Sequence, residues 1–96
     1  MNISNFEWDP NKDHLNRKKH GIPFGVAQFV FFDPKRVVAK DLFHSVHEQR
    51  YYCVGRVGDG IMTVRFTYRD GKIRIIGAGY WRKGKVIYER ENKIHQ

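Results

Sequence analysis

His20, Glu48, Lys19, Arg50, Arg69 and Arg74 are the side chains of this chain whose types suit phosphodiester chemistry. Cleaving an RNA phosphodiester without a metal needs a base for the 2′-hydroxyl proton, an acid for the leaving oxygen, and fixed cations for the charge that builds on the phosphate. His20 and Glu48 are the candidate acid–base groups, and Lys19, Arg50, Arg69 and Arg74 are the candidate clamps. A structural role competes for His20. In the run Arg17-Lys18-Lys19-His20 it would close a helix, where the negative pole of the helix dipole favours each cation by about 0.3–1 kcal/mol.

Other constellations are weaker. His44-x-x-His47 has a metal-ligand spacing, but no cysteine or further histidine stands near it in sequence, so a solvated loop is the better reading. Cys53 falls on an apolar strand face, away from any cleft where a thiolate could react. Gly77-x-Gly79 is not followed by a phosphate-cradling pattern, and the chain has no Walker-type loop. No metal and no cofactor are expected.

The charge balance asks for an anionic partner. Eighteen Lys plus Arg against ten Asp plus Glu give 18 − 10 = +8 over 96 residues, with 41% hydrophobic and 15% aromatic residues. That composition excludes a disordered basic tail and fits one domain over residues 1–96, whose single modest core leaves any substrate to a face or shallow cleft. A single cysteine and no charged-then-apolar leader read as cytoplasmic. The longest apolar stretch, Phe29-Val30-Phe31-Phe32, is far short of the roughly 20 residues that span a bilayer. No segment pairs a basic face with a clean apolar one, so a membrane surface drops out, leaving nucleic acid and an acidic protein.

The elements that must position these residues divide the chain. Phe6-Glu7-Trp8 is a short extended start; Asp9-Pro10 supplies an N-cap and a first-turn proline, and Gly21 with Pro23 closes a helix near Lys19 or His20. Phe24 to Phe31 reads as a second, buried helix, stopped by Asp33-Pro34. Val37-Val38-Ala39 is a short strand and Asp41 to Glu48 a polar loop, followed by strands over Arg50–Val57, Ile61–Arg69 and Lys72–Ala78. Trp81 to Lys93, with Val86, Ile87 and then Ile94 among its charges, reads as a frayed terminal helix. The expected fold is α+β: two N-terminal helices packed on a twisted antiparallel sheet, a three-stranded meander plus one or two shorter strands, with a C-terminal helix.

Asp70-Gly71 is the pair a two-residue type I′ hairpin asks for, and it fixes the strand register. Counting outward sets Arg69 opposite Lys72, Thr67 opposite Arg74 and Arg65 opposite Ile76 on one face. Tyr68, Phe66 and Val64 then meet Ile73, Ile75 and Gly77 on the core face, which also takes Tyr51. An even-length turn at Gly58-Asp59 adds Arg50, Tyr52 and Arg56 to the basic face, with no acidic residue among them. Like charges facing across strands destabilise a sheet unless a counter-ion lies between them, and phosphate is the natural one. Arg65, Lys72, Arg56, Tyr52, Thr67, Tyr80 and Arg82 are therefore the candidate RNA-binding residues, the mixture of cations, hydroxyls and stacking planes that single strands use. A polar, basic exposed sheet face is also what an antiparallel sheet of a basic protein carries by default.

The motif order resembles the BrnT family: Phe6-Glu7-Trp8-Asp9, Asn16-x-x-Lys19-His20-Gly21, Phe24-x-x-Ala27-x-x-Val30-Phe31, Asp33-Pro34, Glu48-x-Arg50, Thr67-x-Arg69 and Ile73-Arg74-Ile75-Ile76, from Phe6 to about Glu89. The resemblance implies the ribonuclease toxin of a type II toxin–antitoxin pair, with a RelE-like α+β fold, that halts growth by cutting RNA. It also implies a cognate BrnA-like antitoxin, acidic, DNA-binding and encoded alongside. Its motif residues fall on Lys19, His20, Gly21, Arg50, Arg69 and Arg74, coinciding with the set reached from chemistry and strand parity. One departure stands out. Where many members have Ser-Ala-Arg, this chain has Gly77-Ala78-Gly79; either Arg82 reaches the same phosphate from a nearby loop, or the activity is reduced or redirected. The alternative function is a non-catalytic basic module of the same fold that binds RNA or an acidic protein.

Overall fold

The structure, a computed structural model, describes residues 5–93. Helix α1 spans Pro10–His20. Asp9 caps it, accepting from the Asn11 N–H at 2.8 Å, and Gly21 ends it in the left-handed region at φ 72°, its N–H donated to Arg17 O at 2.9 Å. The second apolar segment begins as helix α2, Phe24–Ala27, and tightens into a 3-10 turn over Gln28–Phe32, where one continuous helix was expected. Phe24, Ala27 and Val30, at a spacing of three, are its fully buried side chains, the period a 3-10 turn brings onto one line.

The sheet has five strands, β1 Phe6–Trp8, β2 Val37–Lys40, β3 Tyr51–Val57, β4 Gly60–Arg69 and β5 Lys72–Gly79, in the order β1-β5-β4-β3-β2. It is mixed, not antiparallel throughout: β1 pairs β5 in parallel, with Glu7 beside Arg74. The extended start becomes a full edge strand because Phe6 and Trp8 reach the core while Glu7 turns to the opposite face. Both hairpins have two-residue turns, Gly58-Asp59 and Asp70-Gly71, and the second places Asp70 and Gly71 at φ 54° and 75°, as type I′ demands. Near the hairpin the β4–β5 pairing is as counted. Beyond it a bulge leaves Ile76 unpaired, so Arg65 meets Gly77 and Val64 meets Ala78.

One sheet face, carrying Cys53, Met62, Val64, Phe66, Ile73, Ile75 and Ala78, buries against Ile22, Phe24, Ala27, Val30 and Phe31. Tyr68 shares this face but lies at its edge, exposed and packed edge-on against Tyr51 and Phe66. The other face is not open along its length. Helix α3, Arg82–Glu91, lies across it, and Val54 and Ile61 of the sheet pack with Tyr88, which is 2% exposed. The expected fray is thus a packed helix; Ile94 lies outside the described residues. Gly84 permits the close approach, because a Cβ there would strike Thr63 Oγ1. Among the described residues no helix is long and apolar enough to cross a membrane.

Candidate active site

Helix α3 divides the basic face into two ends. Arg50, Arg65, Arg69 and Arg74 with Lys72 lie toward the Asp70-Gly71 hairpin, while Arg56 stands at the far end, in a groove with Tyr80, Arg82 and Lys85. The expected single patch is therefore two. The expected lack of acidic residues also fails. Glu7 of β1 meets Arg74 Nη1 at 2.9 Å, Glu48 meets Arg69 Nη2 at 3.1 Å and Arg50 Nε at 3.5 Å, and Asp41 stands 3.9 Å from Arg65 Nε. These carboxylates come from the parallel strand and the 41–48 loop, elements that counting along the hairpins does not include. Solvent-accessible ion pairs are worth about 0–1 kcal/mol, so phosphate oxygens can displace them at little cost.

Glu48 is the centre of this end. Hydrogen bonding from Arg69, then the charges of Arg69 and Arg50, hold its carboxyl below the usual range against an opposing desolvation effect. An ionised carboxylate between two guanidiniums can accept a proton from a substrate hydroxyl while the cations face the phosphate. With Arg50 and Arg69 it lines an open pocket of about 470 Å³ whose other walls are Phe43, His44, Val46 and His47. His44 and His47, set aside in sequence as a solvated pair, thus stand at the carboxylate's own pocket. Their signal was the adjacency of His47 and Glu48. Among the described residues no three His, Cys, Asp or Glu side chains group as a metal site.

His20 sits elsewhere. Its ring packs edge-on against Trp81, centroids 5.5 Å apart, on a turn that Asn16 ties to β5 through Ile22 O, Ala78 O and the Ala78 N–H. His20 packs on Trp81 while Glu48 pairs with Arg50 and Arg69, so the structure does not bring the acid–base candidates together on its own. Lys19 is exposed beside His20. Trp81 also occupies the space above Gly79, where a Cβ would run into the indole, so an arginine at 79 and the indole exclude each other. Tyr52 packs half-buried beside the α3 contact, whereas Thr67 is 2% exposed and donates its hydroxyl to Gln49 O at 2.7 Å, which fixes the loop rather than offering a free donor. Burial pushes the Cys53 thiol up to about 12, which leaves no reactive thiolate.

Comparison with curated proteins finds no match. Residues 8–84 match the family model described as "Ribonuclease toxin, BrnT, of type II toxin-antitoxin system", a span that takes in α1, the whole sheet beyond the first residues of β1, and the Glu48 pocket. The chain belongs to the BrnT family of ribonuclease toxins of type II toxin–antitoxin systems.

Proposed function

We propose that the protein is an endoribonuclease that cuts single-stranded or ribosome-associated RNA in the cytoplasm without a metal, on a RelE-like fold. The observation that carries this reading is the Glu48 carboxylate held between Arg50 and Arg69 at an open pocket. In the reaction Glu48 takes the 2′-hydroxyl proton, the 2′-oxygen attacks the adjacent phosphorus, and the 5′-oxygen leaves with a proton. Arg50, Arg69 and Arg74 lie on the face that meets the phosphate charge, released from their carboxylates as phosphate replaces them. His20, with Lys19, is the proposed source of the leaving-group proton, reaching it when the bound strand runs from the Glu48 pocket toward Trp81. Arg65 and Lys72 carry flanking phosphates, and Arg56, Tyr80 and Arg82 form a separate contact at the far end.

A cognate antitoxin, acidic and BrnA-like, would neutralise the toxin by covering the same cations through charge complementarity. Purified protein incubated with single-stranded RNA in EDTA is expected to cut it, and His20→Ala to stop cutting while RNA is still held. A variant that neither cuts nor binds differently from the wild type, with the wild type itself inert, would leave only the non-catalytic binding module.

A further inference from the structure

Leu42, Phe43 and Val46 are 78%, 84% and 81% exposed, the three most exposed large apolar side chains among the described residues. All three belong to one loop, and that loop is tied down. The Asp41 N–H donates to Arg50 O at 2.8 Å, the Ser45 hydroxyl donates to Asp41 O at 2.6 Å, and the Arg50 N–H donates to that hydroxyl at 2.9 Å. Its polar atoms are thus engaged inward while its apolar side chains are held out to solvent. Apolar residues scattered singly over a surface need no explanation, whereas a cluster of them marks a place where another molecule binds. Phe43 also forms a ridge between two openings. On one side is the Glu48 pocket, with Val46, Arg50 and Arg69; on the other is a cavity of about 370 Å³, whose largely apolar wall includes Tyr52, Trp81 and Ile87, with Arg65 and Lys83.

We propose that this ridge is the docking site of the cognate antitoxin, which seats an apolar side chain in the 370 Å³ cavity, packs others on Leu42, Phe43 and Val46, and brings carboxylates to the cations around them. The occupant follows from the chemistry of the surface. An apolar wall offers nothing to a phosphate, and the aliphatic side chains of Leu42 and Val46 are not stacking planes for bases, so the ridge does not suit an RNA strand. A protein segment that mixes apolar and acidic residues matches both halves, because tight interfaces set apolar anchors in pockets at the centre and leave charge pairs to the rim. Arg50, Arg65, Arg69 and Lys83 line the two openings against Asp41 and Glu48, so the charge to be met there is positive. A toxin of a type II toxin–antitoxin system has such a protein partner in its antitoxin. Since Phe43 and Val46 line the Glu48 pocket, a segment seated on them closes that pocket, and neutralisation is by occlusion. Only this consequence rests on the RNA-cutting reading; the docking does not.

The probe is the cognate antitoxin, the product of the neighbouring reading frame, titrated against the full-length toxin. Leu42→Ser and Phe43→Ser are each expected to weaken its binding at least tenfold, the mark of an anchor residue, whereas Leu15→Ser, which removes an exposed leucine from α1, should leave it unchanged. Antitoxin that does not bind the wild type, that binds both loop variants as tightly, or that is weakened equally by Leu15→Ser would overturn the proposal. Two further outcomes would also overturn it. A free toxin that sediments as a dimer and becomes monomeric in Leu42→Ser assigns the loop to a second copy, and a blocked single-stranded RNA, 2′-O-methylated throughout so that it cannot be cut, assigns it to RNA if Leu42→Ser weakens both ligands alike. Should the serine variants not fold, hydrogen exchange of the wild-type complex reads the same contact: protection of the Leu42–Val46 amides is expected, and unchanged exchange there contradicts it. Antitoxin held through the loop by a wild type that cuts no RNA would sink the ribonuclease reading and keep the docking site; a wild type that cuts RNA but whose antitoxin ignores both loop variants would do the reverse.

Discussion

Glu48 accepts from Arg69 and faces Arg50, so it is a carboxylate at neutral pH and suits the base's half of the reaction. Glu48→Gln should lower the cleavage rate by about 10²–10⁴, the usual worth of a positioned base, in a single-turnover assay with labelled RNA. The pH profile carries a signed test. Because its carboxyl is depressed, activity should persist down through the ordinary carboxylate range and fall only below it. Arg69→Ala removes the largest cause of the depression, so the acid limb of the profile should move to higher pH, besides losing rate. Which arginines share a face was readable from the two hairpin turns, Asp70-Gly71 for Arg65, Arg69 and Arg74 and Gly58-Asp59 for Arg50 and Arg56, since those turns set the register. Their carboxylate partners were not readable, because Glu7, Asp41 and Glu48 arrive from a parallel edge strand and a loop, whose positions no local period encodes.

At the scale of elements, the turn that carries Lys19 and His20 depends on Asn16. Its side chain makes three hydrogen bonds, from Nδ2 to Ile22 O and Ala78 O at 2.9 and 3.1 Å and from the Ala78 N–H to Oδ1 at 3.2 Å. Asn16→Ala strands several buried backbone groups, each costing about 1–3 kcal/mol, and should lower the urea midpoint sharply while loosening His20 from Trp81. Gly84→Ala is expected to cost about 1–3 kcal/mol by forcing α3 off Thr63, visible as a lower thermal midpoint. Helix α1, the two hairpins and β2 were legible because caps, an Asp-Gly turn and alternation all act locally. The bulge at Ile76 and the burial of Tyr88 were not. Each is decided by packing between distant segments, Asn16 on Ala78 and α3 on β4, which a reading along the chain does not see.

For the whole molecule, Asp33 ties three segments together, accepting from the Arg56 N–H at 2.7 Å and the Tyr88 hydroxyl at 2.6 Å. Desolvation raises its pKa, but hydrogen bonds from the Arg56 N–H, Tyr88 and the Lys35 N–H outweigh it, so the net shift is downward. A carboxyl depressed in the folded state stabilises fully above its unfolded value and loses that contribution as pH falls through the folded one. Denaturation followed from pH 5 to pH 2 should therefore show a loss of stability below the ordinary aspartate range that Asp33→Asn largely lacks. The net charge of +8 was visible from composition, whereas its division by α3 into two ends required the fold. Association with blocked single-stranded RNA should weaken with salt, with a log–log slope of about −2 to −3.5 for three to five phosphate contacts. Cleavage in EDTA tests the central claim most directly. Purified wild-type protein should cut single-stranded RNA in EDTA, leaving 2′,3′-cyclic phosphate ends, while Glu48→Gln and His20→Ala bind that RNA and leave it whole. Intact RNA with the wild type, bound as tightly as by the variants, would contradict it.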